Sequence, residues 1–261
     1  MGLIRAVTGH LNDDQINRLR DWLSAQSAAP VQVLATERLS GGAIQENHRL
    51  EIEVAGGDWP GHHDLVLRRD AQSAVATSHS RAEEYALLKA AHKAGVAVPT
   101  PCVLCEDETI LGGPFFLMHR VSGEARGGRL IKAAPDAGLV HTLGANLARI
   151  HSITPPTEGL SFLGDPPIDP ARDAVTQYRG YLDELPDPHP AVEWGLAWLA
   201  ANAPPPPPGG TVLCHRDYRT GNLMIEQAET GGTLSATLDW EFAGWSDPLE
   251  DIGWFLSLIH I

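Results

Sequence analysis

The chain reads as an α+β protein, and three observations point there. Short alternating runs rich in Val, Leu and Ile crowd into residues 31–70, broken by glycine turns. Longer stripes at helical spacing dominate residues 136–203. Between residues 212 and 239 apolar runs return on either side of one polar loop, V-L-C-H-R-D-Y-R-T-G-N-L-M-I. With 261 residues, 43% hydrophobic and 20% charged, the chain is long enough for a large core, in one domain or two lobes.

In order, Asn12 and Gln15 form a capping-box pattern ahead of Ile16, Leu19, Trp22 and Leu23, which predicts an amphipathic helix over 12–26. Val31 to Leu39 reads as a strand and Ser40-Gly41-Gly42-Ala43 as a turn. His48 to Val54 then alternates His48, Leu50, Ile52 and Val54 on one face with Arg49, Glu51 and Glu53 on the other. A glycine turn between strands brings backbone N–H groups near phosphate oxygens, although most such turns are only hairpins. Asp64 to Asp70 is a third strand, with Val66 and Arg68 on one face and Arg69 opposite. Ser80 and Glu83 cap a helix over 80–94 that Gly95 ends, and Glu84 sits where it can pair with Arg68. Val96 to Pro101 is an extended connector. Strands follow near Val103 and at Pro114 to Met118. Asp136 to Ile153, Ala171 to Leu185 and Val192 to Ala203 read as helices, and Pro204 to Gly210 as a connector into the polar loop.

That loop carries the chemistry. Asp217 stands five residues before Asn222, and Asp239 follows at the end of the next apolar run. Phosphoryl transfer to a hydroxyl needs such a set. Asp217 would accept or orient the acceptor's proton, Asn222 and Asp239 would give oxygen ligands to magnesium on the phosphates, and His215 would hold the loop by hydrogen bonding. The same residues also fit a polar hairpin whose Asp and Asn satisfy turn backbone, or a hydrolytic metal site of His215, Asp217 and Asp239.

Composition excludes several classes. A formal charge of −14 argues against nucleic acid as partner. Acidic residues at Asp165, Asp169, Asp173, Asp183, Glu184 and Asp187 fit a cationic substrate or a solvated face. Three cysteines cannot close a disulfide framework, so a reducing cytoplasm is expected, with Cys102 and Cys105 as ordinary buried thiols. No signal core or apolar run of membrane-spanning length occurs. The absence of G-x-G and G-K-S/T removes the dinucleotide and Walker A fingerprints.

Taken together, these residues resemble the aminoglycoside phosphotransferase and choline kinase superfamily, within it the phosphotransferases associated with acyl-CoA dehydrogenases. The resemblance runs through R-L-S-G-G-A-I-Q-E-N, L-V-L-R-R-D, E-E-Y-A-L-L-K-A-A-H-K-A-G-V-A-V-P-T-P, G-G-P-F-F-L-M-H-R-V-S-G, L-A-R-I-H, H-R-D-Y-R-T-G-N and L-D-W-E-F-A-G-W-S-D-P-L-E-D-I-G-W. It implies a protein-kinase-like two-lobe α+β fold. An antiparallel β-sheet lobe at 1–120 would bind nucleotide, and a mainly helical catalytic lobe would occupy 121–261. It also implies an ATP- and Mg2+-dependent phosphotransferase acting on a hydroxyl of a small-molecule acceptor. Asp217 would be the catalytic base with His215 beside it, and Asn222 and Asp239 the metal ligands. The nucleotide would lie against Gly41, Gly42, Val66, Arg68, Glu84, Met118 and the backbone at His119 and Val121. Asp247 and Asp251 match the family's acidic pair and are expected to brace the catalytic loop.

Three departures stand out. Arg216 takes a place that is commonly Gly, and Arg68 replaces the usual Lys. The chain also stops directly after D-I-G-W, where relatives continue through helices that help wall the acceptor site. The alternative is a nucleotide-binding module without turnover.

Overall fold

Asn12 and Gln15 close the expected capping box and start α1 (Asp13–Ser27) in the computed structural model, which describes residues 11–39, 45–70, 78–130, 137–228 and 231–257. The turn at Gly41 and Gly42 lies outside the described residues. Strands β1 (Val31–Arg38), β2 (Gln45–Val54) and β3 (Gly61–Asp70) follow. After α2 (Arg81–Lys93) come β4 (Pro101–Cys105), the short α3 (Glu108–Leu111) and β5 (Phe115–His119). The five strands form one antiparallel sheet in the order β1-β2-β3-β5-β4.

Alternation sorts the side chains of this sheet onto two faces. Leu50, Ile52, Leu65, Leu67, Phe115 and Leu117 bury against Leu19 and Leu23 of α1. Each such burial contributes about 1.5–3 kcal/mol. The opposite face, carrying Val66, Arg68 and Phe116, turns toward α2 and the second half of the chain. Leu87, Leu88 and Ala91 of α2 pack with Phe116 and with the buried residues of that second half, so α2 joins the two cores.

The second half opens with α4 (Gly127–Leu130) and α5 (Ala137–Ile150) and continues through α6 (Pro170–Asp183) and α7 (Pro190–Ala201). Two small antiparallel pairs frame the polar loop. One joins β6 (Val212–Cys214) to β9 (Gly244–Ser246), the other β7 (Leu223–Ala228) to β8 (Gly231–Thr237). The last described element is α8 (Leu249–Ser257). Leu147 and Ile150 of α5 meet Leu213, Leu223, Ile225 and Trp240, so the loop stands on a packed floor. Helix α7 is apolar nearly all round yet buries only Leu196, leaving Trp194 74% and Trp198 57% exposed.

The chain is α+β with a protein-kinase-like fold, as expected. Among the described residues no helix is long and apolar enough to cross a membrane. Cys102, Cys105 and Cys214 are free thiols. Asp165, Asp173, Asp183, Glu184 and Asp187 are exposed, whereas Asp169 is half-buried and its carboxylate caps α6.

Candidate active site

The cationic side of the site comes from the sheet. Arg68, near the end of β3, is 7% exposed and meets Glu84 through two contacts, Nε to Oε2 at 2.9 Å and Nη2 to Oε1 at 2.8 Å. Glu83, one residue earlier, is held in the α2 cap by Ser80, so the helix presents only Glu84 to the sheet. Glu84 also accepts from Arg81, which reaches Asp70 through Nε at 2.8 Å. Arg68 extends further and places Nη2 2.6 Å from Asp239 Oδ1. Burial pulls its guanidinium down, but Glu84 and Asp239 more than reverse this and hold it above the usual arginine range. An arginine fork spans two carboxylates in a way a lysine ammonium does not.

The polar loop between β6 and β7 supplies the other side. His215 is fully buried, with Nε2 3.0 Å from the Leu238 carbonyl, and its Nδ1 accepts the N–H of Asp217 at 3.2 Å. Burial pushes its pKa down against the pull of Asp251 and Asp217, so the ring is a neutral strut, in keeping with a holding role. Asn222 donates through Nδ2 to Asp217 Oδ2 at 2.6 Å and to the Asp217 carbonyl at 3.0 Å. This leaves the amide oxygen of Asn222 as its atom with ligand chemistry.

Asp239 does not lie on a strand. It follows the end of β8 by two residues, with φ of 68°. A left-handed turn there lifts the carboxylate off the sheet and toward Arg68, in a conformation that Asp tolerates better than most residues.

Asp251 braces the loop as expected. It is fully buried and accepts the N–H groups of His215 and Arg216 at 2.9 and 2.7 Å, with His151 Nε2 at 3.0 Å. His151, Cys214 and Asp251 offer ligand atoms within 4.8 Å of one another. The Asp251 oxygens are already committed, however. The Cys214 thiol, held far above its ordinary range by burial and by Asp251, donates to the Asp247 carbonyl at 3.3 Å. The cluster is therefore a hydrogen-bonded brace. Arg216 has φ of 63°, which explains why glycine suits this position and what the arginine costs, about 1–2 kcal/mol of backbone strain. Its guanidinium lies over Gly244 and donates to the Trp245 carbonyl at 3.0 Å.

These parts meet in one cleft of about 560 Å³. Val66, Arg68, Glu84, Met118, His119, Val121, Asn222 and Asp239 all line it. His215 and Asp217 stand behind that lining, with Asp217 joined to it through Asn222.

The connecting segment refines one expectation. The N–H groups of His119 and Arg120 are taken by the carbonyls of Thr100 and Asp64, both at 2.9 Å. Among the described residues no acceptor takes the Val121 N–H, and Val121 lines the cleft. Gly123, with φ of 134°, then lets the chain pass the Ile225 carbonyl, where a Cβ would stand 2.9 Å from that oxygen.

Sequence reasoning missed several participants. Gln45 at the start of β2 donates to Glu241, which burial and the neighbouring Asp239 push up to about 7. Arg219 Nε and Trp254 Nε1 both donate to Asp217 Oδ1 at 2.9 Å. Glu241 sits in D-W-E and Trp254 in D-I-G-W, so both were in view, but periodicity does not say which way a loop side chain turns.

The model of the phosphotransferase enzyme family, APH, matches residues 35–261. The chain belongs to this family. A mouse protein, acyl-CoA dehydrogenase family member 10, is 29% identical over 242 residues, covering 90% of this chain and 21% of its own length. The chain spans about a quarter of the length of the curated relatives it matches. Among solved structures, a Ralstonia eutropha protein classed as an aminoglycoside phosphotransferase superposes with a TM-score of 0.67 at 23% identity, covering 94% of this chain and 70% of that one. An aminoglycoside phosphotransferase in complex with GDP and kanamycin superposes with a TM-score of 0.56 at 17% identity, over 87% and 73% of the two chains. At these identities the structures share the fold.

Proposed function

We propose that the chain transfers the γ-phosphoryl group of ATP to a hydroxyl of a small-molecule acceptor, with residues 1–120 as the nucleotide lobe and 121–261 as the catalytic lobe. The observation that carries this reading is the single cleft that brings Arg68 and Glu84 against Asn222 and Asp239, with Asp217 bonded to Asn222. The nucleotide complex of a structural neighbour supports it.

The donor set fits magnesium. An amide and a carboxylate offer hard oxygens, and the guanidinium already 2.6 Å from Asp239 shows that this corner favours positive charge. Asn222 and Asp239 would hold the ion, which when bound neutralises charge on the phosphates. Arg68 would grip phosphate oxygens while Glu84 fixes its direction. The N–H of Val121 would meet the base. Asp217 would take the acceptor's hydroxyl proton as oxygen attacks phosphorus in line, so that one P–O bond forms as the bond to the departing diphosphate breaks. Positioning and charge account for the rate.

The test is purified protein with MgATP and a panel of aminoglycosides, choline-like amines and hydroxyacyl thioesters, read by mass for phosphorylated product. Asp217→Ala lowers turnover by roughly 100-fold or more, the usual share of a general base, and leaves ATP affinity nearly intact. Parallel loss of both would remove Asp217 from the role of base. A second reading, nucleotide binding without turnover, is favoured by one observation, the commitment of Arg68 to Asp239. Magnesium-dependent ATP binding with no product, unchanged by Asp217→Asn, would select it.

A further inference from the structure

One turn of α8 touches three consecutive residues of the catalytic loop. Asp251 holds the N–H groups of His215 and Arg216, and Trp254, three residues further on the same helical face, donates its indole N–H to Asp217 Oδ1 at 2.9 Å. Trp254 is 42% exposed, so burial does not dictate where its one polar atom points. Helix α8 is itself fixed to the loop, since Phe255 packs on Tyr218 at 5.8 Å between ring centres and the Tyr218 hydroxyl donates to the Leu143 carbonyl at 2.9 Å.

The Asp217 carboxylate accepts from Arg219 and Trp254 on Oδ1 and from Asn222 on Oδ2. Arg219 and Asn222 belong to the loop and move with it. Asn222 also lines the cleft. Trp254 is the one donor, among the described residues, that reaches this carboxylate from a separate element. It is absent from the cleft lining.

We propose that Trp254 is a positioning residue for phosphoryl transfer, fixing the plane of the Asp217 carboxylate from α8 while taking no part in nucleotide binding. The proposal rests on the phosphotransferase reading and adds to it a residue outside the catalytic loop. A carboxylate anchored through both oxygens to different elements cannot turn about its Cβ–Cγ bond, so the oxygen that receives the hydroxyl proton keeps its aim. Small losses of aim are costly in such steps.

The experiment compares wild type, Trp254→Phe and Asp217→Ala, using ATP hydrolysis with water in place of the acceptor together with the indole N–H region of a 15N-labelled spectrum. Trp254→Phe keeps a ring and removes the N–H. It lowers kcat about tenfold with the KM for ATP unchanged, the size expected when a reacting group loses its orientation but remains present. Its melting temperature stays at the wild-type value. The chain has seven tryptophans, and the cross-peak lost in Trp254→Phe identifies the Trp254 indole. That peak moves furthest in Asp217→Ala, because its proton loses a charged acceptor.

An unmoved Trp254 peak, a wild-type kcat in Trp254→Phe, or an equal loss of ATP affinity would overturn the proposal. Absence of turnover in the wild type overturns the phosphotransferase reading and this inference with it. Wild-type turnover that Trp254→Phe leaves intact overturns this inference alone.

Discussion

Arg68 shows how one substitution reshapes a site without changing its charge. The guanidinium pairs with Glu84 through two nitrogens and still reaches Asp239 at 2.6 Å. A lysine at the same place has one ammonium and can satisfy Glu84 or Asp239, with no fork to span both. Arg68 therefore sits against the carboxylate proposed to bind magnesium and competes with the metal for Asp239 Oδ1. A hydrogen bond between charged groups contributes about 1.5–3 kcal/mol, which corresponds to roughly tenfold or more in an equilibrium constant. Arg68→Lys accordingly tightens magnesium-dependent binding of a non-hydrolysable ATP analogue by about tenfold, measured by calorimetry across a magnesium series. An unchanged magnesium midpoint would mean that Arg68 leaves Asp239 when nucleotide arrives without competing for it. The pairing of Arg68 with Glu84 was legible in the sequence, because strand alternation fixed the face of one and the capping box removed Glu83 as a rival. The reach to Asp239 was not. It depends on the φ of 68° at Asp239, and neither periodicity nor residue type announces that turn.

At the scale of elements, α8 does for the catalytic loop what a cap does for a helix. It supplies acceptors for backbone N–H groups that the loop's own geometry leaves over. The loop carries Arg216 in a left-handed conformation, and Asp251 takes the N–H of Arg216 itself and that of His215 just before it. Asp251→Asn keeps one carbonyl oxygen but turns an NH2 group toward a donor, leaving a buried pair unmade at a cost of about 1–3 kcal/mol. The variant unfolds at a lower urea concentration with an unchanged denaturant slope, and Asp217 loses its fixed place. Equal midpoints for the two proteins would show that the brace is dispensable to stability. The acidic pair after Asp239 was visible in D-P-L-E-D, yet α8 itself went unpredicted, as did the three-residue β9 and the four-residue α3 and α4. β9, α3 and α4 carry too few residues for a period to register. Helices α1 and α2 were legible to within a residue at each end because their caps are written in side chains. The face of α7 was not, since a helix apolar nearly all round offers no stripe to read.

For the whole molecule, pH separates two opposing contributions to stability. His48 and His215 are buried, and burial lowers the pKa of both below 6.5, with Arg69 adding to the effect at His48. As pH falls below 6.5 the unfolded chain takes up protons that these folded rings refuse, so stability is lost toward acid. Glu241 acts in the opposite sense. Burial and Asp239 raise it from 4.5 to about 7, so between those values the folded chain keeps a proton that the unfolded chain has released. Its contribution is complete below pH 4.5, declines as pH rises through that window, and is flat above it. Glu241→Gln preserves an oxygen for the Gln45 amide and cannot ionise. It therefore removes the second slope and leaves the histidine slope in place. At pH 8 the variant is more stable than wild type by roughly 3 kcal/mol, given about 1.4 kcal/mol for each of the two to three units by which the pKa is raised, and at pH 4 the two are equal. Urea unfolding at the two pH values decides it. A difference that stays the same at both would show that Glu241 ionises as freely in the fold as outside it, and that the carboxylates around Arg68 do not share one electrostatic environment.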